Sequence, residues 1–171
     1  FFHLLSANLL IQVFAFASQL FVAGILSPEN IGRIKIIQTF FSIFLIIAGL
    51  GFNASTLKIC SENRSHQENA DYFNAALLFT LISGALVYFS ILIVNTFNII
   101  TKDELIHNIL PLTMLPVVSS SLLALYMSYF QSQKEVKLYS RLTIYNKLIA
   151  IIFIIIFTYY WGIIGYYVAF N

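Results

Sequence analysis

Five long apolar runs, at residues 4–26, 36–57, 72–100, 109–130 and 142–160, follow one another with short polar segments between them, and a sixth runs over 163–171. Each of the five is near the ~20 residues an α-helix needs to cross ~30 Å of hydrocarbon. Hydrocarbon offers backbone groups no hydrogen-bond partner, so only helices or closed barrels span it. Runs this continuous lack the alternation of barrel strands. The chain therefore reads as all-α: a polytopic transmembrane helical bundle of about five complete helices plus the start of a sixth, in one partial transmembrane domain over residues 1–171.

Composition agrees with lipid as the solvent. The chain is 60% hydrophobic and 9% charged, with a mean hydropathy of +0.87, whereas soluble domains carry about 25% charged residues. A net charge of +2 is small and scattered, so nucleic acid is not an expected partner. A single cysteine, Cys60, excludes an internal disulfide. The chain opens on Phe-Phe-His and stops inside an apolar run, which reads as a piece of a longer protein. Its first run is too long for the apolar core of a signal peptide, and no small-residue cleavage site follows it.

The polar segments carry helix-start chemistry. A hydroxyl before the first turn, with a carboxylate three residues later, satisfies backbone N–H groups that have no helical acceptor. Ser65 with Glu68, Thr101 with Glu104, and Ser132 with Glu135 fit that pattern before the third, fourth and fifth helices. Ser27 followed by Pro28 opens the second, with proline where no N–H is needed.

Lysine and arginine near membrane ends are retained on the cytoplasmic side. Lys58 and Arg64 lie in the second loop, Lys134, Lys137 and Arg141 in the fourth, and Lys147 can reach the same side from the fifth helix. Arg33, Lys35 and Lys102 lie on the other side. This bias puts the second and fourth loops and the amino terminus in the cytoplasm. The Asn63-Arg64-Ser65 sequon then falls on the wrong face for glycosylation, and Asn53-Ala54-Ser55 lies too near the membrane.

Polar residues inside spans must find a partner, a cavity or water. Asn8, Gln12 and Gln19 fall within a stripe about 40° wide on the first helix at ~100° per residue. Gln38, Ser42, Gly49 and Asn53 make a similar stripe on the second. Two such helices fit a shared hydrated cavity; the competing account is helix-to-helix hydrogen bonding and close packing. Pro111 and Pro116 interrupt the fourth helix, where Ser119, Ser120 and Ser121 are candidate partners for the freed carbonyls. Lys147 is the charge clearly inside a span, read either as an interfacial anchor or as an inward cation for an anionic headgroup. Asn74, Asn95 and Asn98 lie near the ends of the third helix and receive no role.

Catalytic chemistry has thin support. His3, His66 and His107 are scattered without metal-ligand spacing. Asp103 and Glu104 are first-turn carboxylates, favoured at the positive end of the helix dipole. No phosphate-binding glycine loop or nucleophile elbow is present, so neither a cofactor nor a metal is expected.

The segment Leu26-Ser27-Pro28-Glu29-Asn30-Ile31-Gly32, then Ala48-Gly49-Leu50-Gly51-Phe52-Asn53-Ala54 after an apolar helix, resembles the first helical hairpin of the polysaccharide (O-antigen type) flippases. These belong to the multidrug/oligosaccharidyl-lipid/polysaccharide exporter superfamily. Tyr129-Phe130-Gln131-Ser132-Gln133-Lys134 resembles their fourth-to-fifth connection, and Tyr160-Trp161-Gly162-Ile163-Ile164-Gly165 their turn into the sixth helix. Asn8 matches an asparagine often found in their first helix. The similarity covers essentially the whole chain, in order and with matching loop lengths.

The resemblance implies a protein of about twelve or more helices in two similar bundles, of which this chain is most of the first. It implies a bacterial inner-membrane flippase and no enzyme activity. The substrate would be an O-antigen or capsular repeat oligosaccharide on a polyprenyl pyrophosphate, moved by alternating access. Its partners would be that lipid-linked oligosaccharide, membrane lipids and other polysaccharide-assembly proteins. Asn8, Gln12, Gln19, Gln38, Asn53 and Lys147 are then the substrate-cavity candidates. The chain departs from the family in that the basic residues such proteins often place in the central cavity are not evident in its spans, which leaves Lys147 together with a second bundle to supply the positive charge, or a relative with a different cargo. Two alternatives are a cation-coupled multidrug exporter, which would show acidic residues within the spans, and a polysaccharide polymerase, which would carry a long outer loop.

Overall fold

The computed structural model describes residues 2–62 and 65–170, without the side chains of residues 2–8, Leu10, Val136 and Lys137. Seven helices follow one another, α1 (Phe2–Ile25), α2 (Pro28–Gly49), α3 (Phe52–Cys60), α4 (His66–Thr96), α5 (Glu104–Met114), α6 (Pro116–Ser132) and α7 (Val136–Phe170), and no strand occurs among the described residues. Four stretches, Pro28–Gly49, His66–Thr96, Glu104–Ser132 and Leu138–Phe170, are long and apolar enough to cross a membrane. The chain forms two compact units, Phe1–Ile36 with Ser140–Asn171, and Ile37–Tyr139.

Helix ends follow local chemistry, with two corrections to the sequence reading. The Asn30 N–H donates to Ser27 Oγ over 3.4 Å, with Pro28 at the first position of α2. Ser65 and Glu68 form the expected reciprocal box at α4. At α5 the cap is Asp103, which accepts from the N–H groups of Leu105 (3.0 Å) and Ile106 (3.1 Å). Thr101 stands one step outside, accepting from the Asp103 N–H. A carboxylate two residues nearer the helix outcompetes the threonine hydroxyl for those donors. Ser132 also fails as a cap, because it ends α6 and donates to the Tyr129 carbonyl over 2.7 Å. Lys134, at φ 61°, closes α6, with Glu135 N–H donating to Phe130 and Lys134 N–H to Gln131. That paired pattern terminates a helix and leaves no room for a cap at Ser132.

The helix expected over 36–57 is instead two. It starts at Pro28, stops at Gly49, and resumes at Phe52 after Leu50 (φ 46°) and Gly51 (φ 75°), both left-handed. Successive left-handed residues cannot continue a right-handed helix. α7 likewise holds a non-helical residue, Gly162 (φ 58°, ψ −134°). A side-chain carbon built on Gly165 would overlap the Phe157 carbonyl, although residues eight apart on a straight helix stand about 12 Å apart. The chain therefore folds back at Gly162, and Thr158, Tyr166 and Tyr167 are buried there.

In the unit Ile37–Tyr139, α6 packs against α3 and α4. Phe73, Ala76 and Leu125 form the core, with Phe73 4.4 Å from the Tyr129 ring centroid and 5.1 Å from that of Tyr126. Gly84 lets α4 approach α6: its missing side chain would stand 3.4 Å from Val118 Cα and 3.5 Å from Ser121 Oγ. Small residues permit such close backbone approach where lipid removes the hydrophobic drive between helices. Large apolar side chains such as Ile46, Leu86, Phe89 and Ile93 stay exposed, as suits an exterior in contact with hydrocarbon.

Candidate functional site: an interrupted helix with polar neighbours

The break between α2 and α3 concentrates the polar chemistry of the second unit. Ser83 on α4 donates its hydroxyl to the Ala48 carbonyl over 2.5 Å, and also lies 3.2 Å from the Thr80 carbonyl. On the far side of the break, the Phe52 ring stacks on Phe79 with centroids 5.9 Å apart. Further along, Asn69 Nδ2 donates to the Cys60 carbonyl over 3.4 Å. These contacts fix an antiparallel register in which the break lies level with Phe79 to Ser83, near the middle of the apolar run 72–100.

Asn53 belongs to this cluster. Its Oδ1 would stand 3.2 Å, and its Nδ2 3.9 Å, from a side-chain carbon on Gly49, so the amide lies over the last turn of α2. The first residue pair of α3 has no side-chain cap, since Gly51 occupies that position. Thr80 and Thr56 are fully buried, and neither hydroxyl oxygen has a hydrogen-bond partner among the described residues. Sequence reading singled out Asn53 but passed over Ser83, Thr80 and Gly84. Their spacing of three and four residues on one helix is the signal that marks them.

The other sequence candidates are distributed over both units. Gln12 and Gln19 are exposed on α1, in the first unit; the side chain of Asn8 lies outside the described residues. Lys147 is exposed on α7, also in the first unit. Gln38 is half-buried in the second unit, and its carbonyl accepts from Ser42 Oγ over 2.8 Å. The stripe expected from Gln38 to Asn53 does not run along one helix, because the left-handed pair at Leu50 and Gly51 separates Asn53 from the rest. Arg33 is tied to Glu29 (2.8 Å) and Asn30 (3.1 Å).

A cavity of about 320 Å³ lies between α2 and α4, lined by Phe44, Ile47, Leu86, Ile91 and Val94 among others. Ser90 on its wall donates its hydroxyl to the Leu86 carbonyl over 2.7 Å. Such a lining takes hydrocarbon in preference to a sugar. Among the described residues, no three His, Cys, Asp or Glu side chains gather as metal ligands would.

A family described as polysaccharide biosynthesis protein matches residues 1–171. No curated protein and no solved structure matches the chain.

Proposed function

Because the chain belongs to the polysaccharide biosynthesis protein family, we propose that it takes part in turning a polyprenyl-pyrophosphate-linked oligosaccharide, an O-antigen or capsular repeat unit, across the bacterial cytoplasmic membrane by alternating access. The family match over the whole chain carries this reading. A sugar headgroup cannot cross hydrocarbon unaided, because its hydroxyls would lose their water without replacement. It needs a path lined by neutral hydrogen-bonding groups, and Asn8, Gln12, Gln19, Gln38 and Asn53 are side chains of that kind. The apolar cavity between α2 and α4 is compatible with a lipid tail travelling outside the polar path. In this reading the amino terminus is cytoplasmic and no covalent step occurs.

The test replaces both Gln12 and Gln19 by leucine. Surface polysaccharide should appear more slowly while the protein reaches the membrane at normal levels, and lipid-linked units should accumulate on the cytoplasmic leaflet. Unchanged rates of surface appearance reject the cavity assignment. If cells lacking the protein altogether show no such accumulation, the transport reading itself fails.

A further inference from the structure

We propose that the cavity between α2 and α4 holds an acyl chain of a membrane phospholipid, taken from the leaflet on the side of the α4–α5 connection, with Lys102 beside the lipid phosphate. The walls decide the chemistry of the occupant. Phe44, Ile47, Leu86, Ile91, Val94 and Ile100 line the space. The polar side chain on the wall, Ser90, already donates its hydroxyl to the Leu86 carbonyl. Water or a sugar entering there would find no partner, and apolar cavities of this kind stay dry and take apolar guests. Left unfilled, the space would deprive these side chains of dispersion contacts.

Of the lipid tails such a lining accepts, size and position select one. An apolar cavity of about 150 Å³ takes the six carbons of benzene. On that scale about 320 Å³ has room for roughly a dozen carbons. The deep end is set where Ser83 on α4 donates to the Ala48 carbonyl of α2. From Leu86 to the end of α4 at Thr96 the wall extends about 15 Å at ~1.5 Å per residue, half of the ~30 Å of hydrocarbon. Asn98, left-handed at φ 54°, then turns the chain, and Ile100 completes the wall. A space one leaflet deep with room for about a dozen carbons fits part of a single phospholipid chain. It is too small for the long branched tail of a polyprenyl lipid. Lys102 follows Ile100 by two residues, at most about 7 Å of chain. It is exposed and makes no ion pair among the described residues. Of the carboxylates next to it, Asp103 accepts from the Leu105 and Ile106 N–H groups and Glu104 lies in the first turn of α5. Lys102 is thus the cation that the connection offers to a phosphate at the mouth of the cavity.

The test places the complete membrane protein in vesicles of a phospholipid carrying a photoactivatable diazirine halfway along one chain, and maps the labelled residues by peptide mass spectrometry. Phe89 and Ile93 are exposed on the same helix but outside the cavity wall, so they report the bulk lipid that coats any membrane protein. The expected result is labelling of Ser90 and Val94 about tenfold above that of Phe89 and Ile93, the factor that a modest preference for a fixed site gives. Val87→Phe and Ser90→Phe fill the space from different points on its wall, and each should bring Val94 down to the level of Ile93. Ser90 is exposed, so its variant decides the matter if Val87→Phe fails to fold. Equal labelling inside and outside the cavity overturns the site and leaves bulk lipid only. Lys102→Gln should lower the amount of phospholipid that stays with the protein through purification in detergent, and unchanged retention overturns the part given to that lysine. Recovery of a polyprenyl lipid instead of a phospholipid, from protein purified out of its own membrane, overturns the choice of occupant. Each readout is lipid binding alone, so it stands or falls separately from transport of any polysaccharide unit.

Discussion

Asn95 Nδ2 donates to the His107 carbonyl over 3.0 Å, and that carbonyl is the one Pro111 leaves without a helical donor. Proline has no N–H, so the i→i−4 bond from residue 111 to residue 107 cannot form. Asn95, buried near the end of α4, supplies the missing donor from a neighbouring helix. Replacing Asn95 by leucine should lower stability by about 1–3 kcal/mol, the cost of an unpaired buried carbonyl. Pro111→Ala restores an N–H and should recover part of that loss. Unfolding midpoints of the two single variants and the double variant form the cycle; strictly additive losses would show the two residues to be unconnected.

Ser83 plays the corresponding part at the end of α2. Ser83→Ala removes the donor to Ala48 and should cost about 1–2 kcal/mol. Hydrogen exchange of the amides from Gly51 to Ser55 should rise in this variant more than exchange in the second half of α6. Equal increases in both segments would place the effect elsewhere.

Two glycines at the turn in α7 are needed for different reasons. Gly162 holds φ 58° and ψ −134° with open space around it, so alanine there meets backbone strain of about 1–3 kcal/mol. Gly165 has ordinary helical surroundings in sequence, but a side-chain carbon would overlap the Phe157 carbonyl. Gly165→Ala should therefore be the more damaging, forcing the two backbones apart. Comparing thermal midpoints of the two variants checks the order.

The cap of α5 separates two residues that sequence alone ranked the other way. Asp103→Ala should cost about 1 kcal/mol because two N–H groups lose their acceptor. Thr101→Ala removes a single contact to the Asp103 N–H and should cost less. Chemical unfolding of both variants distinguishes them, and a larger effect at Thr101 would restore the original reading.

What the sequence determined by itself was the all-helical character and several helix starts. Continuous apolar runs leave the backbone no partner but itself, and the contacts at Ser27 and at Ser65 with Glu68 reach only three residues. Such features are local, so they can be read before any packing is known. The polar candidates were legible as residue types but not as a site. Asn53 lies across a break from Gln38, and Asn95, given no role from the sequence, completes the backbone around Pro111. Only the tertiary structure decided where the helix after Pro28 stops. Its end at Gly49 depends on Ser83, thirty-five residues away from Ala48, and on the stacking of Phe52 against Phe79. A left-handed Leu50 costs about 1–2 kcal/mol on its own, and contacts from α4 offset that cost, which no local pattern in the chain encodes.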